Sequence, residues 1–297
     1  MKKKWFWGIF ITILISWIVN IIYFEMHQLK EPVVLNAYID IPTSENTNFS
    51  LFYLTNSSEV NELESLIAGG YTFSNEQNFF PWFGDLTAQS YRQQFTHQYL
   101  KQANFIIDEQ SMEQVVNGVK NNELYARFTN GQVVPIELEK LDFRTTASES
   151  NIFTNEGYFV GNDGIQGTIL EATETVRMDA ISLPEAIIQK VDLKVHFNSN
   201  TLSSSISSNN LVKKDWEEID APLNTEIEWP LEIEKGNSVR LIFHVKDSNS
   251  YIDIVHEWTG ITKSGKAVTY NLPLQIEPSL FEDGAIDIVR KARGENR

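Results

Sequence analysis

The chain carries one long unbroken apolar run and then a succession of short alternating ones. The run is WFWGIFITILISWIVNIIYF, Trp5 to Phe24, 20 residues without a charge. As a helix it would rise about 30 Å, the depth of a hydrocarbon core, so it predicts a transmembrane segment. Beyond it, short stretches rich in aromatic and β-branched residues predict strands. In the first half these are PVVLNAYIDIP, NFSLFYL, GYTF, ELYARF, GQVVPIELEKLDF, GYFVG and GTILEATETVRMDAISL. In the second half KVDLKVHF, EIEWPLEIE, SVRLIFHVKD, SYIDIVHEW and AVTYNLPLQIE alternate at period two, joined by turn sequences such as EKGNS, KDSNS and TKSGK.

Other stretches break the strand pattern. Tyr91, Phe95 and Tyr99 recur every four residues, which predicts a helix over Thr87–Gln102 and a strand after it, although Phe95, His97 and Tyr99 also alternate as a strand would. SMEQVVNGVKN reads as a short helix capped by Ser111. Ser199–Asn210 is a polar loop. The stretch from Pro278 reads as a frayed end with a basic finish of Arg290, Lys291, Arg293 and Arg297; Leu280, Phe281, Ile286, Ile288 and Val289 offer one helical turn of packing at most. The fold class is therefore mainly β: an N-terminal transmembrane helix, then two antiparallel β-sandwich-like domains, the first with a short helical insertion. The boundaries expected are 1–4 for a cytoplasmic stub, 5–24 for a signal anchor, 33–180 and 181–278 for the sandwiches, and 279–297 for a tail.

Charge orients the anchor. Lys2, Lys3 and Lys4 precede the run, while Glu25, Lys30 and Glu31 follow it, so the positive-inside bias predicts a cytoplasmic N-terminus and extracellular domains. Trp5, Trp7, Trp17 and Tyr23 lie towards its ends, where amphipathic rings favour the interface. A cleaved signal has a shorter apolar core and a small-x-small site, which FEMHQLKEP lacks. A pilin-type leader needs a Glu inside the run, and none is there.

Composition narrows the chemistry. The chain has 40 acidic and 24 basic residues, a net charge of −16 and no cysteine. The charge argues against nucleic-acid partners, because neutralising phosphates needs a basic face. Without cysteine there is no disulfide framework, thiolate metal site or cysteine nucleophile, a pattern that fits a Gram-positive cell surface. Residues 33–180 hold 20 acids and 7 bases, a net of −13, and residues 181–278 hold 14 and 9, a net of −5. That acidity favours a polysaccharide that is neutral, or one bridged by metal ions, over an unscreened anionic one.

FSLFYLTNSSEVN (Phe49–Asn61) and PIELEKLDF (Pro135–Phe143) give the first domain a resemblance to jelly-roll modules found beside membrane glycosyltransferases and other envelope polysaccharide proteins. The matching positions are Leu51, Phe52 and Tyr53, then Leu141 and Asp142, with Phe143 where that family has a proline. The resemblance implies a carbohydrate-associated, non-catalytic β-sandwich.

Motifs of catalysis are weak. His256-Glu257-Trp258-Thr259-Gly260 starts like a zinc-protease helix but has Gly260 in place of the second histidine and sits in a strand pattern. His27, His97, His196 and His244 show no ligand spacing, so no metal and no cofactor are expected. No G-x-S-x-G elbow occurs, and Lys263–Lys266 reads as a hairpin turn rather than a phosphate loop. The Asn162-Asp163-Gly164 stretch reads as a tight turn, and the acids around Trp216 as a solvated loop. The candidate binding residues are Phe79, Phe80, Trp82 and Phe83 of NFFPWFGD, whose rings either stack on sugar faces or plug the sandwich edge. The function expected is a membrane-anchored binding or scaffold protein of the cell envelope, held in the bilayer by Trp5–Phe24 and contacting envelope polysaccharide or a membrane partner. The alternatives are a carboxylate-dependent carbohydrate-active enzyme and an accessory subunit of a polytopic membrane protein, with Asn20 as a polar contact within the bilayer.

Overall fold

A computed structural model of the chain describes residues 2–43, 46–75, 91–145, 150–160, 165–198, 216, 219–246 and 249–295. Strand exceeds helix by 48% to 21%, which makes the protein mainly β. The apolar run lies within helix α1 (Lys2–Met26), of which Trp7–Met26 is long and apolar enough to cross a membrane.

The first core lies between two four-stranded sheets. One pairs β1 (Val33–Val34), β3 (Asn46–Asn56), β7 (Gln98–Asp108) and β6 (Tyr91–Gln94), in that order. The other pairs β5 (Tyr71–Ser74), β4 (Leu63–Ala68), β8 (Leu124–Phe128) and β9 (Val133–Pro135). β3 and β7 face each other over their whole lengths, Asn46 opposite Asp108 through Asn56 opposite Gln98. That pairing overrides the helical spacing of Tyr91, Phe95 and Tyr99. The described part of Thr87–Gln102 is strand, turn and strand, and Thr87–Ser90 lie outside the described residues. The rings of Tyr91 and Tyr99 do meet, stacked at 4.6 Å, but across the β6–β7 hairpin rather than along a helix.

The expected helical insertion is present as α2 (Glu109–Lys120), with its cap moved. Asp108, not Ser111, is the N-cap; its carboxylate accepts from the Ser111 N–H at 2.8 Å, satisfying an orphan donor of the first turn.

The second core takes Tyr38 and residues from Ile152 to Ile276. One sheet runs β11 (Phe153–Val160), β12 (Ile165–Ala172), β16 (Ser238–Val245), β14 (Val191–Asn198), all antiparallel. The other holds β10 (Lys140–Arg144), β2 (Ala37–Pro42), β17 (Tyr251–Thr262), β13 (Val176–Met178) and β15 (Leu231–Ile233), with β18 (Ala267–Ile276) pairing β17. Residues 180 and 181, where the sequence analysis divides the chain, lie within the stretch that feeds this core.

β17 joins the two units. Tyr251–Ile254 pairs in parallel with β2, whereas Val176–Met178 of β13 pairs with Gly260–Thr262 at the other end of the strand. β2 also pairs in parallel with β10. Beside these pairs, Asp40 receives Lys140 Nζ at 2.6 Å and Arg144 Nε at 3.0 Å, so its largely buried carboxylate is doubly paired.

The stretch expected to fray is instead ordered as α4 (Glu282–Ala292), after the short α3 (Glu185–Ile188), and this is a correction. Ala285 and Val289, one turn apart, pack with Leu280 into the first core, and that burial stabilises the helix. α4 also reaches α1. Arg293 Nη1 donates to the Glu25 carbonyl at 2.6 Å and the Gln28 carbonyl at 3.2 Å, capping the end of α1. Asn56 completes the junction by exchanging hydrogen bonds with the Leu29 backbone, at 2.7 Å and 2.8 Å.

Candidate binding cleft between the two units

One face of β3 and β7 links the end of α1 to a polar cleft. Side chains alternate along a strand, so Asn48, Ser50, Phe52, Leu54 and Asn56 share a face. Across from them stand Ile106, Asn104, Gln102, Leu100 and Gln98. At one end Asn56 and Gln98 hold the turn that follows α1, through the Leu29 and His27 carbonyls. In the middle Phe52 packs against Tyr251, ring centroids 5.0 Å apart. At the far end the face turns polar and meets Asp253 and Gln275, a cross-strand pair of β17 and β18. Asn48, Phe49, Ser50, Asn104, Ile106, Asp253 and Gln275 enclose a cleft of about 330 Å³ there. Asn56 lies six positions beyond Ser50, a distance of about 20 Å along β3.

The polar groups are fixed by each other. Ser50 Oγ donates to Asn104 Oδ1 at 2.7 Å, and Gln102 Nε2 donates to both Ser50 Oγ and Asn104 Oδ1 at 2.8 Å. Arg92 Nε in turn donates to Gln102 Oε1 at 2.6 Å. Opposite, Tyr251 Oη donates to Asp253 Oδ2 at 2.9 Å and accepts from Gln275 Nε2 at 2.9 Å. The groups left over among the described residues are the Asn48 amide, Asn104 Nδ2, Asp253 Oδ1 and Gln275 Oε1, a mixture of donors and acceptors on locked supports.

Burial raises the Asp253 carboxyl above its ordinary value of 3.8, partly offset by the Tyr251 hydrogen bond. Burial, and next the Asp253 charge, raises the Tyr251 phenol as well. A carboxyl raised by folding binds its proton more tightly in the folded state. Its contribution to stability is present at acid pH and lost as pH climbs through the raised value. Asp253→Asn keeps the shape and an acceptor for Tyr251 Oη. It is expected to raise the melting temperature at pH 7 by about 2–4 °C, with the gap from the parent closing towards acid pH. Calorimetry of both proteins across that pH range measures it; a gap independent of pH would remove the ionised carboxylate as the cause.

The expected binding aromatics Phe79, Phe80, Trp82 and Phe83 lie outside the described residues. The described residues flanking that stretch are at the cleft's margin: Asn75 Oδ1 accepts from the Asn104 N–H at 3.2 Å, and Arg92 holds Gln102. Among the described residues the histidines join no group of three or more that could hold a metal. His196 and His244 lie on β14 and β16, His256 on β17, and only His27 and His97 come together, 5.2 Å apart between ring centroids beside the end of α1. The sequence reading missed Ser50, Asn104, Asp253 and Gln275. Their signal was faint: single polar residues at alternate positions of apolar strands, as in NFSLFYL and ANFIID.

The chain matches no protein-family model and no curated protein.

Proposed function

We propose that this is a membrane-anchored extracytoplasmic binding or scaffold protein of the cell envelope, and that the cleft between its units holds a neutral, polyhydroxylated ligand of saccharide type. The observation that carries the reading is the set of free donors and acceptors in the cleft, mounted on the same strand face that grips the anchor. Hydroxyl groups both give and accept hydrogen bonds, so Asn48 and Asn104 Nδ2 together with Asp253 Oδ1 and Gln275 Oε1 suit them. A bound phosphate would need cationic donors, and the cleft lining has none among the described residues. Lys2, Lys3 and Lys4 support a cytoplasmic N-terminus, and the lack of cysteine supports a Gram-positive surface. The jelly-roll resemblance of Leu51, Phe52 and Tyr53 agrees with a carbohydrate-associated role, since β3 supplies both those residues and Ser50. One carboxylate among several amides suits holding a sugar better than two-carboxylate hydrolysis.

The full chain in lipid nanodiscs, titrated calorimetrically with neutral gluco-oligosaccharides and N-acetylglucosamine oligomers, tests the reading. Asn104→Asp keeps the acceptor for Ser50 and Gln102 but replaces the free donor with a charge. It is expected to weaken binding at least ten-fold with an unchanged fold by circular dichroism. Heat from neither sugar class, or equal affinity in parent and variant, overturns the cleft as the site.

A further inference from the structure

A second concavity, apart from the cleft, opens beside the anchor. β1 and β9 are terminal strands of the two sheets around the first core, and both border one groove of about 620 Å³. Its apolar surface is Val33, Val34, Val134 and Pro135, and Glu31 and Glu137 stand exposed at its rim. Those two carboxylates have no partner among the described residues, whereas Glu139 nearby is taken by Lys190.

The register tells which main-chain groups of β9 and β1 point away from their sheets. The Ile136 N–H bonds the Leu124 carbonyl and the Phe128 N–H bonds the Gln132 carbonyl, each at 2.9 Å. Residues 132, 134 and 136 therefore point at β8, and the intervening Val133 and Pro135 point outward. Val133 offers an N–H and a carbonyl along that edge, and Pro135 a carbonyl alone. By the same alternation, Leu35 N–H bonds the Phe52 carbonyl at 2.8 Å, which turns the Val34 main chain away from β3. An edge with free hydrogen-bonding groups, an apolar floor and unpaired carboxylates is complementary to an extended, basic chain.

We infer that this groove docks an extended, lysine- or arginine-bearing segment of a neighbouring membrane protein, which adds as a strand along β9. The location selects the partner: Glu31 follows Met26, the end of α1, by five residues, a reach of no more than about 18 Å. The groove is thus within range of segments leaving the same bilayer. Charge selects against a second copy, which brings the same acids and a net charge of −16. Main-chain pairing supplies the affinity and Glu31 and Glu137 the choice of sign.

The test uses the full chain in neutral-lipid nanodiscs and two fluorescent octapeptides, alternating Lys-Val and alternating Glu-Val, followed by anisotropy. The Lys-Val peptide is expected to saturate, with the Glu-Val peptide at least ten-fold weaker. The double variant Glu31→Lys/Glu137→Lys should reverse that order, and high salt should shrink the difference. N-methylation at alternate residues on one edge of the Lys-Val peptide should cost at least ten-fold, and on the other edge little, because only one edge pairs. Equal binding of both peptides, a preference that survives the charge reversal, or equal loss from methylating either edge overturns the inference. Neither surface change touches Asn48, Ser50, Asn104 or Asp253, so sugar binding persists in the double variant and the two readings fail separately.

Discussion

Trp258→Ala is expected to destabilise the protein by about 3–5 kcal/mol, the range for emptying a fully buried large aromatic site. Trp258 is completely buried in the second core. Its ring stacks on Phe153 at 5.3 Å and 3° between planes, meets Trp229 edge-on at 6.2 Å, and donates from Nε1 to the Asp179 carbonyl at 2.7 Å. Alanine leaves a void between the sheets and an acceptor without its donor. In a protein of this size the melting temperature falls by something on the order of 10 °C. Trp258→Phe keeps most of the ring packing and loses the hydrogen bond, so it should cost less than half as much. Because Trp258 sits on β17, whose Tyr251 packs in the first core, both units should lose stability together in one calorimetric transition. Two transitions, with only one displaced, would show that β17 does not couple them.

Lys101→Met is expected to cost about 3 kcal/mol, near the lower end for removing one partner of a buried ion pair. Lys101 is almost wholly buried, and its Nζ donates to Glu62 Oε1 at 2.7 Å and to the Asn61 carbonyl at 3.0 Å. Glu62 also accepts from Tyr53 Oη at 2.9 Å, whose oxygen accepts in turn from the Leu63 N–H at 3.2 Å. Methionine fills the space but leaves the Glu62 charge against the first core. Burial, and next the Glu62 charge, raises the Tyr53 phenol, so the tyrosine stays neutral and keeps its hydrogen bond to Glu62 but supplies no positive charge in place of Lys101. The double variant Lys101→Met/Glu62→Gln should recover at least half the loss in denaturant titration. No recovery would mean that packing of the lysine stem, not the charge pair, carries the effect.

How much of this was legible in the sequence follows from the range of the forces involved. Strands whose identity lies in local alternation, such as SVRLIFHVKD and AVTYNLPLQIE, are found where the pattern puts them, as β16 and β18. Where a distant partner decides, the local pattern misleads. Tyr91, Phe95 and Tyr99 match a helix equally well, and only the eleven-position pairing of β7 with β3 selects the strand. LESLIA, read as nothing in particular, becomes β4 because β5 and β8 flank it. The parallel pairs of β2 with β10 and β17 have no local signature at all. The cleft was hidden for the same reason: Ser50 and Asp253 become neighbours only once β3 and β17 are brought together, and neither is unusual in its own segment.

The way the ends of the fold are stitched together bears on how the protein comes into being. Arg293 and Glu25, joined by a hydrogen bond, are 268 residues apart in the chain. β2 finds one neighbour in β10 but must wait for β17 to cover its other edge. During synthesis, then, the early strands stand ready long before their closing partners emerge, and the long loops to be closed slow the final step. Throughout that interval the growing chain carries open strand edges behind α1, a helix long and apolar enough to cross a membrane. Assembly rate, more than final stability, should therefore limit how much of this protein a cell can make, and slower synthesis or factors that hold the open edges should raise its yield.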